Sequence, residues 1–405
     1  MHPRRVSPTV LLILLCAVIF LAHLSVLMLG PLLVGLAHEF QTSVASVGQL
    51  AAGTAITLGI IAPLAGPVSD TYGRRLMLLM GLLLMALGIL GSVLAWDYGT
   101  LLAFRLLTGG GAAMVPPNCL AAIAEVFPPT ARGKAIGWLV SATGVSAAFG
   151  VPLVACLLDA GGWRLPFYVI GTASLVVWIL VWVWFPRSQR QSDQALAFFA
   201  HYRAVSTDVM FWYVLTANAL QQMVFFGMFT YLAAYLMQTY HLPAGDTALP
   251  LALAGVGVIV GAIVGGRIAG HRRRLAWFAM ACWGSGLLAA VVFTARVSPW
   301  ATVALACGTA GLARISSAVT PTLLLELAGS SRTTATGLFA MSNQIGAFGG
   351  PAIGGLMLAL GGFPRVGLFC LGVSVIAAMV IRLKVRDSAA FLELLALRKG
   401  ATATE

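Results

Sequence analysis

Apolar residues run through this chain in long blocks separated by short polar punctuation, and a helix needs about 20 mostly apolar residues to cross a bilayer. On that rule the pattern predicts twelve membrane-spanning helices, near 9–33, 43–66, 75–95, 99–123, 134–158, 164–185, 209–237, 247–269, 275–295, 299–325, 333–360 and 364–383. The longest polar interval, PRSQRQSDQALAFFAHYRAVSTD at 186–208, divides them six and six. The expected organisation is an all-α polytopic protein. It has an N-terminal six-helix half at 1–185, a cytoplasmic linker at 186–208, a C-terminal half at 209–385 and a tail at 386–405. The start, Met1 to Arg5 before an apolar run, looks like a secretory signal. The run is too long for one and ends in no small-x-small site, so it is expected to remain as the first span.

Composition agrees. Of 405 residues, 60% are hydrophobic and 9% charged, against about 25% charged in soluble domains, which excludes a water-soluble enzyme. The net charge of +12 would suit nucleic acid, but the basic residues stand singly or in pairs between apolar runs, so no nucleic-acid partner is expected. They fall on alternate loops. One set holds 17 of the 24, Arg4, Arg5, Arg74, Arg75, Arg132, Lys134, Arg187, Arg190, Arg203, Arg272, Arg273, Arg274, Arg332, Lys384, Arg386, Arg398 and Lys399, and the other only Arg164, Arg296 and Arg365. By the positive-inside rule both termini are cytoplasmic, and short loops suit a bacterial inner membrane. The six cysteines lie inside apolar stretches without CxxC or metal-ligand spacing, so neither disulfide, metal nor cofactor is expected. Walker A, HExxH and GxSxG patterns do not occur, which argues against ATP use and against an intramembrane enzyme.

The halves repeat. A shift of about 200 residues lays Gly66 on Gly266, Arg74 on Arg274 and, with one residue of slip, Glu125 on Glu326. The stretch GWLVSATGVSAAFGVPLVACLLDAGGWR answers to GLFAMSNQIGAFGGPAIGGLMLALGGFPR, each ending in a Gly-Gly turn before an aromatic and an arginine. Such a tandem repeat is the architecture of transporters whose halves rock about a central site.

The second and third spans are joined by Gly66-Pro-Val-Ser-Asp70-Thr-Tyr-Gly73-Arg74-Arg75, a tight turn with one carboxylate and two guanidiniums. This segment resembles the signature Gly-x-x-x-Asp-x-x-Gly-Arg-Arg/Lys of the major facilitator superfamily at every position. The resemblance implies the twelve-helix fold of that family and a gating role for Gly66, Asp70, Gly73, Arg74 and Arg75. Arg105 followed by Gly109-Gly110-Gly111-Ala112 is similar to the Arg-x-x-x-Gly-x-Gly-Ala motif of proton-coupled members, which implies a part for Arg105 in a proton step. Gly150-Val151-Pro152 resembles the glycine-proline stretch of the drug/proton antiporters but departs from it, since Val151 interrupts the pair and Val154 and Ala155 replace a double glycine. With Gly161 to Arg164 it looks closer to the sugar-efflux branch. Read from the residues alone, Gly109, Gly111, Gly150 and Pro152 are helix-packing and helix-bending positions.

Charges at membrane depth are costly and therefore mark sites. No carboxylate falls at a predicted midplane, and the only titratable group of the first span is His23, which makes it the first proton-coupling candidate. Glu125 and Glu326, the repeat-related acids at the cytoplasmic ends of spans four and ten, are the next, with helix-end contacts to neighbouring Arg or Lys as the plainer reading. Arg314 stands near the centre of span ten with no acid one turn away, so it needs a partner from another helix, carbonyls, water or an anionic substrate. Asn218, Gln221, Gln222, Tyr231, Asn343 and Gln344 complete the substrate-binding candidates. The expected function is secondary active transport by alternating access, proton-coupled efflux of a small organic molecule by a monomer in the lipid bilayer. The alternatives are a proton symporter or exchanger for an organic anion and, in another class, a non-transporting membrane sensor.

Overall fold

A computed structural model describes residues 7–185, 209–327 and 332–386. All regular structure among the described residues is helical. Helix α1 begins at Pro8, capped by the Ser7 hydroxyl, and runs Pro8–Leu27, then Leu29–Glu39 after a bend at Met28. Pro31 explains the bend, because it has no N–H and its ring crowds the Leu27 carbonyl. Helix α2 is Val44–Tyr72, capped by Ser43, and α3 is Arg74–Val93. Helix α4 is Tyr98–Ala113 and Val115–Val126, started by an Asp97/Thr100 capping box and broken ahead of Pro116 and Pro117. Helix α5 is Pro129–Val145, a π-helical turn Ser146–Gly150, and Val151–Gly161, the turn standing just before Pro152. Helix α6 is Arg164–Trp184.

The second half follows the same plan with α7 (Val209–Tyr240), α8 (Ala248–Ala269, led by a 3-10 turn Gly245–Thr247), α9 (Arg274–Thr294) and α10 (Pro299–Leu327). The helical stretch Arg332–Lys384 is interrupted at Gly361 and Gly362, which divides it into α11 and α12. Twelve spans in two six-helix halves result, as the hydrophobic pattern predicts. One expectation changes: Gly66–Tyr72 is not a loop but the last turns of α2, and Gly73 alone makes the turn. Its φ of 94° and ψ of 138° suit glycine only. The apolar window marks where a helix meets lipid, not where its hydrogen bonding stops.

The internal repeat survives to single torsion angles. Gly162, closing α5, has φ 71° and ψ −176°, and Gly362, closing α11, has φ 74° and ψ −172°. Within each half, glycines let backbones touch. A Cβ on Gly109 would collide with the Thr54 carbonyl and Thr57 hydroxyl of α2, and one on Gly111 with the Met85 backbone of α3. One on Gly150 would lie 2.8 Å from Leu24 of α1. Glycines 257 and 261 of α8 likewise meet the Cys307 and Gly311 backbones of α10. Without a hydrophobic drive between helices in lipid, such close packing holds the bundle.

Between the halves, the tight contacts lie away from the termini. Gly30 of α1 sits under the Phe229 carbonyl of α7, and Gly48 of α2 receives the Tyr231 ring. Gln49 Nε2 donates to the Ala352 carbonyl at 3.1 Å, and Gly255 of α8 rests on Ala148 in the π-helical turn of α5. The deepest of these toward the centre joins Gly59 to the Gln344 side chain. The chain is thus sealed at the end opposite its termini.

Candidate transport site

Two ionisable side chains stand halfway along their helices, one in each half. His23 of α1 and Arg314 of α10 are each partly buried and within electrostatic reach of each other. The Arg314 guanidinium stacks on Phe225 of α7, its carbon 3.7 Å from the ring centroid. That cation–π contact fixes the plane of the fork. Nε and Nη2, which share one edge of the guanidinium, are out of reach of solvent and have no hydrogen-bond partner among the described residues; His23 Nδ1 is in the same condition. A guanidinium held flat with its Nε–Nη2 edge free presents two parallel N–H donors, the geometry that grips a carboxylate bidentately.

A polar cluster of α7 and α11 lies beside it. Asn218 Nδ2 donates to Ser342 Oγ and Asn343 Oδ1, each at 2.7 Å, and Gln222 Nε2 to the same Asn343 oxygen at 3.2 Å. Asn218, Gln222 and Phe225 follow one another at helical spacing and so share a face of α7. Gly346 of α11 makes room for Gln222, whose Cβ occupies the space a side chain there would need. Asn218 Oδ1 and Gln222 Oε1 remain buried without partners.

Other candidates stand elsewhere. Gln221 turns to the far side of α7 and donates to Ser285 of α9 at 2.6 Å, inside the C-terminal half. Tyr231 is fully buried in the seal between the halves, its hydroxyl donating to the Pro351 carbonyl at 2.7 Å. Gln344 reaches across to Gly59 at mid-depth, by the seal's inner limit. Arg105 is fully buried in the N-terminal half, donating to the Ser25 carbonyl of α1 at 3.2 Å and to Thr108 at 3.0 Å, with its guanidinium 5.1 Å from the Phe167 ring centroid. It supports α1 two residues beyond His23. Phe225 and Ser342, which complete the site, are not singled out by the sequence; the only signal for Phe225 is its place one turn from Gln222.

At the termini-bearing end Arg74, Arg75 and Arg274 each have a partner in their own half. Arg74 Nη1 donates to the Ala121 carbonyl of α4 at 2.9 Å, and Arg75 Nη2 to the Trp182 carbonyl of α6. Arg274, fully buried, makes a two-pronged ion pair with Glu326, at 2.7 and 2.6 Å. The positions of Gly66 and Asp70 in α2, and of Glu125 in α4, carry side-chain sites outside the described residues, as are the linker 186–208 and the tail beyond 386.

Comparison with known proteins places this geometry. The sequence model described as Major Facilitator Superfamily matches residues 15–325. The chain is 28% identical over 338 residues to the 3-(3-hydroxy-phenyl)propionate transporter of Escherichia coli (strain K12), covering 81% of each protein. It is 27% identical over 370 residues to Multidrug resistance protein 1 of Bacillus subtilis (strain 168), covering 88% of this chain and 91% of the relative. Among solved structures, a bacterial homolog of the human lysosomal transporter Spinster, inward-facing and unoccupied, superposes with a TM-score of 0.76 at 17% identity, over 94% of this chain and 98% of the other.

Proposed function

The chain belongs to the Major Facilitator Superfamily, a family of multi-pass membrane transporters and not of enzymes, and from that premise we propose that its substrate is a small organic anion. The observation that carries this reading is the free Nε–Nη2 edge of Arg314 at the meeting of the halves. A buried cation with unsatisfied donors is costly, and a carboxylate that docks edge-on satisfies both. A carrier of cations would place a carboxylate there; no carboxylate falls in the central part of any described span. The kinship with the 3-(3-hydroxy-phenyl)propionate transporter points the same way.

In this reading the termini are cytoplasmic, the membrane is a bacterial inner membrane, and the seal described above closes the outer face of a monomer. The anion enters from the cytoplasmic or the outer side as the halves rock. His23 exchanges a proton beside the bound anion, and Asp70, Arg74, Arg75 and Glu326 steady the cytoplasmic ends of the helices. A second reading, proton-coupled efflux of drug-like molecules, is favoured by the kinship with Multidrug resistance protein 1 and by the Gly150-Val151-Pro152 stretch. Reconstituted vesicles carrying a pH-sensitive dye decide between them. Carboxylates should drive flux that their neutral amides do not, and proton movement with or against the anion gives the coupling. Flux driven by cations and not by carboxylates would refute the anion reading.

A further inference from the structure

Resting on the organic-anion reading, we propose that the substrate is bifunctional: a carboxylate at one end and a hydroxyl, or another neutral hydrogen-bond donor, at the other, which Gln222 receives. Arg314 fixes the first end. Its guanidinium carbon lies 3.7 Å from the Phe225 ring centroid, and Gln222 is one turn along the same face of α7, with Asn218 one turn further. At about 1.5 Å of rise per residue, Gln222 and Asn218 stand about 5 and about 10 Å along the helix axis from Phe225.

The chemistry of this second subsite is specific. Arg314 offers donors only, whereas the unpartnered atoms of Gln222 and Asn218 are both amide oxygens, Oε1 and Oδ1, with their amide nitrogens already committed to Asn343 and Ser342. Ser342 Oγ gives its proton to the Phe339 carbonyl at 2.8 Å and therefore accepts from Asn218 Nδ2, which sets the sense of the network. A buried acceptor with no donor is an unfavourable arrangement that a substrate hydroxyl corrects and a methyl group does not. Both amides are almost fully buried, Asn218 1% and Gln222 4% exposed, so neither belongs to a surface patch. Gly346 is what admits the Gln222 side chain between α7 and α11. A compact acid with its donor at the far end fits; a dicarboxylate does not, since its second anion would face two carbonyl oxygens.

The test is competitive transport in proteoliposomes with matched pairs of acids, 4-hydroxybenzoate against benzoate and 4-hydroxybutanoate against butanoate, in the wild type and in Gln222→Met. The wild type should prefer at least one hydroxylated partner by about ten- to hundredfold in kcat/KM, the range expected when a buried acceptor is left without a donor. In Gln222→Met that ratio should fall toward one. Thermal unfolding of the purified variant, compared with the wild type, shows that the protein is folded when the ratio is read. Equal transport of both members of each pair by the wild type, or a preference that persists in Gln222→Met, overturns the second subsite and leaves the anion reading standing. Transport of none of the four acids, with activity toward cations, overturns both.

Discussion

At the scale of single residues, the account turns on what a guanidinium can do that an ammonium cannot. Replacing Arg314 by lysine keeps the charge but loses the paired donors and the flat stacking on Phe225, so carboxylate affinity should fall at least tenfold, about 1.4 kcal/mol or more, in a binding titration. Phe225→Leu should have a smaller effect in the same direction, since a cation–π contact contributes about 0.5–2 kcal/mol depending on desolvation. Unchanged affinity in Phe225→Leu would show that the ring is mere packing. Arg314 and His23 were legible in the sequence because a charge in an apolar run announces itself. The direction each glutamine faces was not. Gln221 and Gln222 are neighbours in the chain, yet one serves the scaffold and the other the site, because consecutive residues on a helix point about 100° apart. Tyr231 reads as a binding residue for its chemistry, whereas the structure uses its length to fill the notch left by Gly48 and Gly355.

At the scale of elements, glycine positions do what the repeat suggested. Gly162 and Gly362 adopt the same left-handed conformation at the same point of each half, and such a backbone costs any other residue roughly 1–3 kcal/mol. Gly162→Ala and Gly362→Ala should therefore lower the unfolding temperature by similar amounts, and a loss confined to one of them would mean the halves carry that turn differently. Gly109→Val should be more severe, because the obstruction there is α2 backbone that cannot swing aside; folded yield from detergent extracts is the readout. Helix ends were less legible than helices. Hydropathy stops at the edge of the lipid, while α1 runs on to Glu39 and α2 to Tyr72 through capped, hydrogen-bonded turns. Asp97 illustrates the forces at such an end. Hydrogen bonds from the Thr100 hydroxyl and then the Thr100 N–H hold its carboxyl below the ordinary value. Its capping contribution is therefore complete above the usual carboxylate range and fades only as pH falls below it, so any pH dependence of transport near neutrality has another origin.

At the scale of the whole molecule, two six-helix bodies meet in a seal at one end, while at the other Arg74, Arg75 and Arg274 each have a partner in their own half. The seal is built from glycines, one tyrosine ring and two glutamines, with no ion pair among the cross-half contacts described above, and such a surface can part without stranding a charge. Gly48→Leu should wedge it open. Spin labels at Thr42 and Leu360, read by pulsed electron resonance, should then report a longer distance than in the parent, and an unchanged distance would show that Tyr231 does not hold the seal. The overall fold was legible because bilayer thickness imposes a length on every apolar run, but which faces meet across the halves depends on helix rotation, to which hydropathy is blind.

The central claim is that the Arg314 edge, between the halves, is the seat of a substrate carboxylate. The most direct measurement is the unfolding temperature of the purified protein with a panel of carboxylates and their matched primary amides, in the wild type and in Arg314→Met, since a ligand that binds the folded state alone raises that temperature. The account predicts that some carboxylates stabilise the wild type where their amides do not, and that this difference disappears in Arg314→Met. Equal stabilisation by acid and amide, or a preference for the acid that survives in Arg314→Met, would contradict it.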